Sequence, residues 1–211
     1  LKRKTFALKK VKILVIDETD RMFDMGFIYD VTDIINHTPN ERQTMLFSAT
    51  INSDIEHIGR KYMKNPKMVS AVDHVDPSLL KQYYYEVPQN AKFSLLVHLL
   101  KEERSGLVMV FCNTRQNVNT LAKNLKRIGI EAYPTHGGLT QSNRNRVMEL
   151  FRSHQIHVLI ASDVAARGLD IKNVSHIYNY DLPKTEDEYI HRIGRTARAG
   201  KEGMAISLIS D

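Results

Sequence analysis

Cysteine is nearly absent from this sequence, and long apolar runs are missing altogether. The one cysteine, Cys112, has no second thiol to pair with, which excludes an internal disulfide and indicates an intracellular protein, cytoplasmic or nuclear. No apolar stretch approaches the roughly 20 residues that a membrane-spanning helix needs, so no membrane association is predicted. The basic N-terminal segment lacks the apolar core of a secretory signal.

A phosphate-binding loop of the form G-x-x-x-x-G-K-[ST] is also missing from the 211 residues. The chain does not begin with Met, and a buried-strand pattern starts almost at once, at Val11. Both features favour a fragment of a longer protein.

Charges of both signs are present, with a small positive excess. The 30 Lys and Arg residues outnumber the 24 Asp and Glu residues, which gives a net charge of +6 and a pI near 9.3. This excess fits a phosphate-rich partner such as a nucleic acid, although many unrelated proteins carry as much positive charge. A hydrophobic fraction of 42% is sufficient for a buried core.

Strand-like apolar runs alternate with segments of helical period along the chain. The predicted strands cover residues 11–16, 44–47, 67–69, 83–87, 107–111, 131–134, 158–161, 174–178 and 204–209. This alternation predicts an α/β fold, in which helices cover both faces of a parallel sheet. The pattern loosens after residue 71, and a domain boundary is expected near residues 73–77.

Two short polar segments follow the first two strands. Asp17 and Glu18 come directly after the strand that ends at Ile16. Carboxylates at the carboxyl end of a buried strand suit a Mg²⁺ ion that bridges nucleotide phosphates, and Glu18 could then orient or deprotonate a water. A solvated acidic turn is the alternative. Ser48 and Thr50 end the next strand and are expected at the same sheet edge.

Arginine recurs every three residues near the end of the chain, at Arg192, Arg195 and Arg198. This spacing would gather the three side chains on one side of a helical turn. Guanidinium groups so close together repel one another unless an anion neutralises them, and bidentate phosphate binding is the natural solution. A solvated basic face is the alternative.

Further polar residues follow the other predicted strands. Thr114 and Ser162 come just after two of them, and Gly137 belongs to a glycine pair whose backbone N–H groups could approach a phosphate. Arg144 begins the next predicted helix, where a phosphate is also favourable. Each of these segments taken singly is equally consistent with a simple turn.

In series, these segments resemble the motifs of DEAD-box helicases of superfamily 2. VIDETD, SAT, VFCNTR, HGG with QSNR, ASDVAARGLD and HRIGRTARAG occur in that family's order and spacing, over nearly the whole chain. The resemblance implies two RecA-like domains, with ATP and Mg²⁺ in the cleft between them and RNA across both. It assigns residues 1–72 to the C-terminal part of an N-terminal RecA-like domain, 73–80 to a linker and 81–211 to a complete C-terminal RecA-like domain.

The resemblance also implies a role for each matching residue. The catalytic and Mg²⁺-binding pair is Asp17 and Glu18, and the arginine fingers are Arg195 and Arg198. Further nucleotide-site positions are Asp20, Asp170, His191 and Arg192, of which Asp170 approaches the ribose and the last two tie the domains together. The residues that couple ATP hydrolysis to strand separation are Ser48 and Thr50. The residues that contact the RNA backbone, without reading its sequence, are Thr114, Gly137, Arg144 and Ser162.

Two residues depart from the family pattern, and one motif set is absent. Thr19 replaces the Ala of D-E-A-D and Ser162 replaces a Thr, with little loss expected at either position. With no phosphate-binding loop, this chain alone is expected to hydrolyse ATP poorly or not at all. The function predicted is therefore that of part of an ATP-dependent RNA helicase. The alternatives are an inactive RNA-binding RecA-like module and a DNA helicase of the same superfamily.

Overall fold

The structure of the protein is a computed structural model that describes residues 8–48, 50–70, 78–102, 106–166, 171, 174–197 and 200–210. The chain divides into two compact units, Leu1–Ala71 and Val72–Asp211, here called unit 1 and unit 2. None of the helices in the described ranges combines the length and the apolar character that a membrane crossing requires.

Within its described residues, unit 1 contains a two-stranded parallel sheet, a short 3-10 helix at Leu8–Lys10 and three α-helices. The strands are β1 (Ile13–Ile16) and β2 (Gln43–Leu46), and the helices are α1 (Thr19–Asp24), α2 (Ile28–Asn36) and α3 (Ser53–Tyr62). Its small core is formed by Ile16, Val31 and Ile35, because α2 places the last two residues on one face, four residues apart. Asn52 caps α3 by accepting a hydrogen bond from the N–H of Ile55.

The strand predicted at residues 67–69 does not form. These residues have no regular structure, and the side chains of Met68 and Val69 are 73% and 87% exposed. The prediction was wrong because a β-strand needs a hydrogen-bonded neighbour, and among the described residues nothing pairs with this segment.

Unit 2 contains a six-stranded parallel sheet in the order β3-β8-β7-β4-β6-β5. Its strands are β3 (Leu80–Glu86), β4 (Leu107–Phe111), β5 (Ala132–Thr135), β6 (Val158–Ala161), β7 (Val174–Asn179) and β8 (Gly203–Ile209). Its helices are α4 (Lys92–Glu102), α5 (Arg115–Arg127), α6 (Gln141–Arg152), α7 (Asp163–Ala166) and α8 (Glu186–Ile193).

Helices cover both faces of this sheet, which confirms the predicted fold class. The central strand β4 sends Met109 and Phe111 into one hydrophobic cluster, together with residues of α6 and α8. It sends Val108 and Val110 into a second cluster, with residues of α4 and α5. Alternate side chains of a strand point to opposite faces, so a continuous apolar run such as that of β4 requires a layer of helices on each side.

Threonine caps begin three of the helices. Thr114, Thr140 and Thr185 each accept a hydrogen bond from the N–H three residues further on. At the third cap, the Glu188 carboxylate also reaches back and accepts from the Lys184 N–H, in the manner of a capping box shifted by one residue. Parallel strands have their carboxyl ends at one edge of the sheet. Helices α5 and α6 follow β4 and β5, so their threonine caps place polar residues near that edge.

Candidate functional site

In unit 1, the candidate site is the acidic loop between β1 and α1. Glu18 adopts a left-handed backbone conformation, with φ 50° and ψ 47°, and its N–H donates to Asp17 Oδ1 at 2.9 Å. A non-glycine residue in this region costs of order 1–3 kcal/mol, and such strain clusters at functional sites. The strained turn ends the strand abruptly and leaves Asp17 exposed directly beyond it.

Asp20 connects this acidic loop to the Ser48–Thr50 segment. The Asp20 N–H donates to Ser48 Oγ at 3.1 Å. Asp20 Oδ2 accepts from both the N–H and the hydroxyl of Thr50, at 3.0 and 3.2 Å. The structure therefore brings together two segments that are 30 residues apart in sequence.

Asp20, which was expected in the nucleotide site, is engaged by hydrogen bonds within unit 1. The side chain is 94% buried and its carboxylate is engaged by Thr50 and by the Arg21 N–H. Burial alone would raise the pKa of Asp20, but the hydrogen bonds from Thr50, Arg21 and Ser48 together hold the pKa below its ordinary value. A buried carboxylate with these bonds joins the two segments.

Asp17 and Glu18 are the carboxylates of this loop that could hold a metal ion. Within the described ranges no three metal-binding side chains converge. Mg²⁺ at nucleotide sites usually takes one or two carboxylates and completes its shell with water and phosphate oxygens. The two carboxylates of the loop fit that requirement.

In unit 2, the polar residues predicted from sequence lie behind three adjacent strands. Thr114 follows β4, Ser162 follows β6 and Gly137 follows β5, and these strands are neighbours in the sheet. Thr114 and Gly137 are exposed, whereas Ser162 is buried. The three residues therefore follow a single carboxyl edge, the place where ligands of such sheets bind.

Arg144 supports the carboxyl edge of the sheet through a contact within unit 2. Its Nη2 donates to the carbonyl oxygen of Ala165, in the short helix after β6, at 2.8 Å. Its Nε is buried and has no hydrogen-bond partner among the described residues. Part of the guanidinium is thus used within unit 2, and Arg144 contributes to the shape of the edge as well as to its charge.

His136 fixes the glycine turn after β5. Its Nδ1 accepts from the Gly138 N–H at 3.1 Å, and its Nε2 lies 3.0 Å from Asn119 Oδ1. Because the Asn119 oxygen can only accept, the imidazole is neutral with its proton on Nε2. Burial, and secondarily the charge of Arg115, lower the pKa of His136 below its ordinary value of 6.5.

We expect the stability of unit 2 to fall below about pH 6.5, in part through His136. The pKa of His136 is lower in the folded than in the unfolded state, so its contribution is present above the unfolded pKa and is lost as the pH falls. Urea denaturation from about pH 7.5 to about pH 5.5 should show a weaker acid dependence for His136→Gln than for the wild type. The exposed His157 provides the matched control, and an equal effect of His157→Gln would contradict the assignment.

Arg192 is buried within unit 2. It is 1% exposed, and its guanidinium forms a bidentate ion pair with Asp163 at 2.7 and 2.8 Å. Its remaining N–H groups donate to Asn113 Oδ1, Asn179 Oδ1 and the carbonyl oxygen of Asp181, at 2.9, 3.1 and 2.6 Å. The guanidinium carbon also lies 5.0 Å from the centre of the Phe111 ring.

Arg192 was expected in the nucleotide site, and in the structure its guanidinium is engaged within unit 2. An arginine has five N–H donors, and all five are used within unit 2. The partners lie at or just after the ends of β4, β6 and β7, so Arg192 ties three strand ends to α8. These partner residues could not be predicted from the sequence, where their one signal is a position at or just after a strand end.

Arg192 and Arg195, which were expected with Arg198 on one side of a helical turn, do not belong to the same helix. Helix α8 ends at Ile193 with Gly194 as its cap, and Arg195 lies half-buried in the turn that follows. Arg198 and Asp170 lie outside the described residues. His191 is half-buried in the last turn of α8.

The turn that contains Arg195 is held against the sheet. Thr196 Oγ1 donates to the carbonyl oxygens of Val174 and Ser175 at the start of β7. A Cβ atom at Gly203 would lie 2.5 Å from the backbone N of Ala197, so only glycine permits this close approach. The position of Arg195 is therefore fixed by two strands.

The comparisons with known proteins agree with this fold and these motifs. Residues 91–200 match the helicase conserved C-terminal domain, which defines the chain as helicase-like, and residues 1–58 match the DEAD/DEAH box helicase family. The chain belongs to the DEAD-box family of helicases.

Several relatives and solved structures are similar over the whole chain. The ATP-dependent RNA helicase CshA of Listeria monocytogenes is 44% identical over 99% of this chain and 40% of its own length. The corresponding Bacillus subtilis protein is 43% identical over 100% and 43%. Saccharomyces cerevisiae Dbp5 bound to RNA and ADP BeF3 is 34% identical, with a TM-score of 0.85 over 100% of this chain and 56% of its own. The chain thus spans less than half the length of these two curated relatives, and its units have the RecA-like fold of the family.

Proposed function

We propose that this chain is part of an ATP-dependent RNA helicase, which couples ATP binding and hydrolysis to RNA duplex unwinding or to remodelling of RNA–protein complexes. The observation that carries the proposal is the bond between Asp20 and Thr50, which joins the acidic loop to the segment that follows β2. A link between a hydrolysis loop and a second polar segment is what such coupling requires. Family membership supports the same function.

On this proposal, the acidic loop acts on ATP and Mg²⁺. Asp17 supplies a carboxylate to the metal shell, and Glu18 orients or deprotonates the attacking water. The same proposal places Arg195 and Arg198 at the γ-phosphate, Asp170 near the ribose and His191 close to the nucleotide.

RNA is proposed to bind along the carboxyl edge of unit 2. Thr114, Gly137 and Ser162 would contact the RNA backbone there, and Arg144 would contribute positive charge. The similarity to Dbp5, whose structure contains RNA, supports this assignment. Contacts to phosphate and sugar position a strand without reading its bases, so binding would be independent of sequence.

We expect the 211-residue chain to bind single-stranded RNA weakly and in a salt-dependent manner. Each phosphate contact releases counterions, so for single strands the slope of log affinity against log salt is about −0.7 per contact. Arg144→Ala should weaken binding to all RNA sequences alike and reduce that slope by about 0.7. Fluorescence anisotropy with several RNA sequences, and with DNA of the same sequences, measures both effects.

The matched control is Arg127→Ala, because Arg127 ends α5 at the opposite edge of the sheet and the change in charge is the same. A strong preference for one RNA sequence, or equal losses for Arg127→Ala and Arg144→Ala, would contradict the proposed edge. Equal affinity for DNA and RNA would favour the DNA-helicase alternative.

A further inference from the structure

Thr19 lies between the acidic loop and the end of β2. It is fully buried, and both its N–H and its hydroxyl donate to the carbonyl oxygen of Phe47 at 3.0 Å. The hydroxyl also lies 3.3 Å from the carbonyl oxygen of Ile16. The D-E-A-D sequence has alanine at this position, and an alanine side chain has no hydroxyl to donate to either carbonyl oxygen.

Phe47 is the residue through which Thr19 reaches the Ser48–Thr50 segment. The Phe47 N–H donates to the Ile16 carbonyl oxygen at 2.8 Å, which extends the pairing of β1 and β2 beyond their ends. The Phe47 carbonyl belongs to the peptide group that leads into Ser48. Two donors from Thr19 therefore fix the orientation of that peptide, whereas alanine would leave one.

We propose that Thr19 is a positioning residue, whose hydroxyl locks the loop of Asp17 and Glu18 to the Ser48–Thr50 segment. A carbonyl oxygen has two lone pairs, and both are used here, so rotation of the Phe47–Ser48 peptide would break two bonds rather than one. Ser48 Oγ then stays in place to accept from the Asp20 N–H, and Thr50 stays bonded to the Asp20 carboxylate. The acidic loop, proposed to act in hydrolysis, is thereby connected more rigidly to the Ser48–Thr50 segment, proposed to act in coupling, than an alanine at position 19 would permit. That last step rests on the proposed function, whereas the positioning itself does not.

Amide hydrogen exchange in the 211-residue chain tests the proposal without any ATP turnover. The informative amides are those of Asp20 and Thr50, because they donate to groups other than those that Thr19 contacts. Thr19→Ala and Thr19→Val should speed their exchange by roughly three- to tenfold, the effect of one lost hydrogen bond on local opening. Thr19→Ser, which restores the hydroxyl, should return both rates to near the wild-type values.

Thr38→Val is the matched control, because Thr38 is also buried in unit 1 and its hydroxyl donates to a main-chain carbonyl, that of Ile35. It should leave the Asp20 and Thr50 amides unchanged relative to the rest of unit 1. If Thr19→Val does not fold, the comparison of Thr19→Ala with Thr19→Ser carries the test, since alanine is the residue of the family's motif. Unchanged amides in Thr19→Ala, or the same selective effect from Thr38→Val, would overturn the proposal.

Discussion

Replacing Arg192 with alanine is expected to destabilise unit 2 by about 3–5 kcal/mol, the usual cost of removing one partner of a buried ion pair. The substitution leaves the Asp163 carboxylate, whose side chain is only 16% exposed, without its bidentate partner. It also deprives Asn113, Asn179 and the Asp181 carbonyl of a donor. Since these acceptors follow three different strands, the loss is expected throughout the unit.

The measurement is urea denaturation of the whole chain, followed by hydrogen exchange at the amides of β4, which belong to unit 2 alone. Arg192→Lys should lose less than Arg192→Ala, because lysine keeps the charge but lacks the planar fork. Arg146→Ala, at an exposed position of α6, should change stability by no more than about 0.5 kcal/mol. If Arg192→Ala had the same denaturation midpoint as the wild type, the buried network would make no net contribution to the stability of unit 2.

The bounds of the interior strands β4 and β6 could be predicted from the sequence, whereas those of the edge strand β3 were predicted less accurately. β4 and β6 have the predicted bounds, 107–111 and 158–161, because every residue in them is buried and their apolar runs are continuous. β3 begins three residues earlier than predicted, at Leu80, because only Leu80 of its seven residues is buried. An exposed edge strand has no hydrophobic pattern that marks its start.

The role of Arg192 could not be predicted because its partners are distant in sequence. A three-residue spacing suggested one helical face, but the helix ends at Ile193, before Arg195 is reached. The acceptors of Arg192 lie 11 to 79 residues away along the chain. The bonds of Asp20 could not be predicted for the same reason, since its partner Thr50 is 30 residues distant. Residue type and spacing indicate which groups gather at a sheet edge, but tertiary contacts decide which of them remain available to a ligand.

The second large effect is expected on catalysis, at Arg195. Because this chain lacks a phosphate-binding loop, we propose to place it in the matching segment of the Bacillus subtilis CshA helicase, to which it is 43% identical. In that chimera, Arg195→Ala should lower RNA-stimulated ATP turnover roughly a thousandfold or more, as expected for an arginine finger. ATP binding should fall much less, because the guanidinium acts mainly on charge that develops on the transferring phosphoryl group. The same result is expected for Arg198→Ala.

Three comparisons make this test decisive. Arg127→Ala in the chimera removes the same charge at the far end of α5 and should leave ATP turnover unchanged. Arg195→Lys should recover only part of the rate, since a lysine cannot form the bidentate contact. The 211-residue chain alone should show no measurable ATP turnover with saturating RNA, whether Arg195 is present or not. If the chain alone hydrolyses ATP at a rate similar to that of the chimera, its phosphate site must be formed by other residues, and the finger role of Arg195 would have to be abandoned.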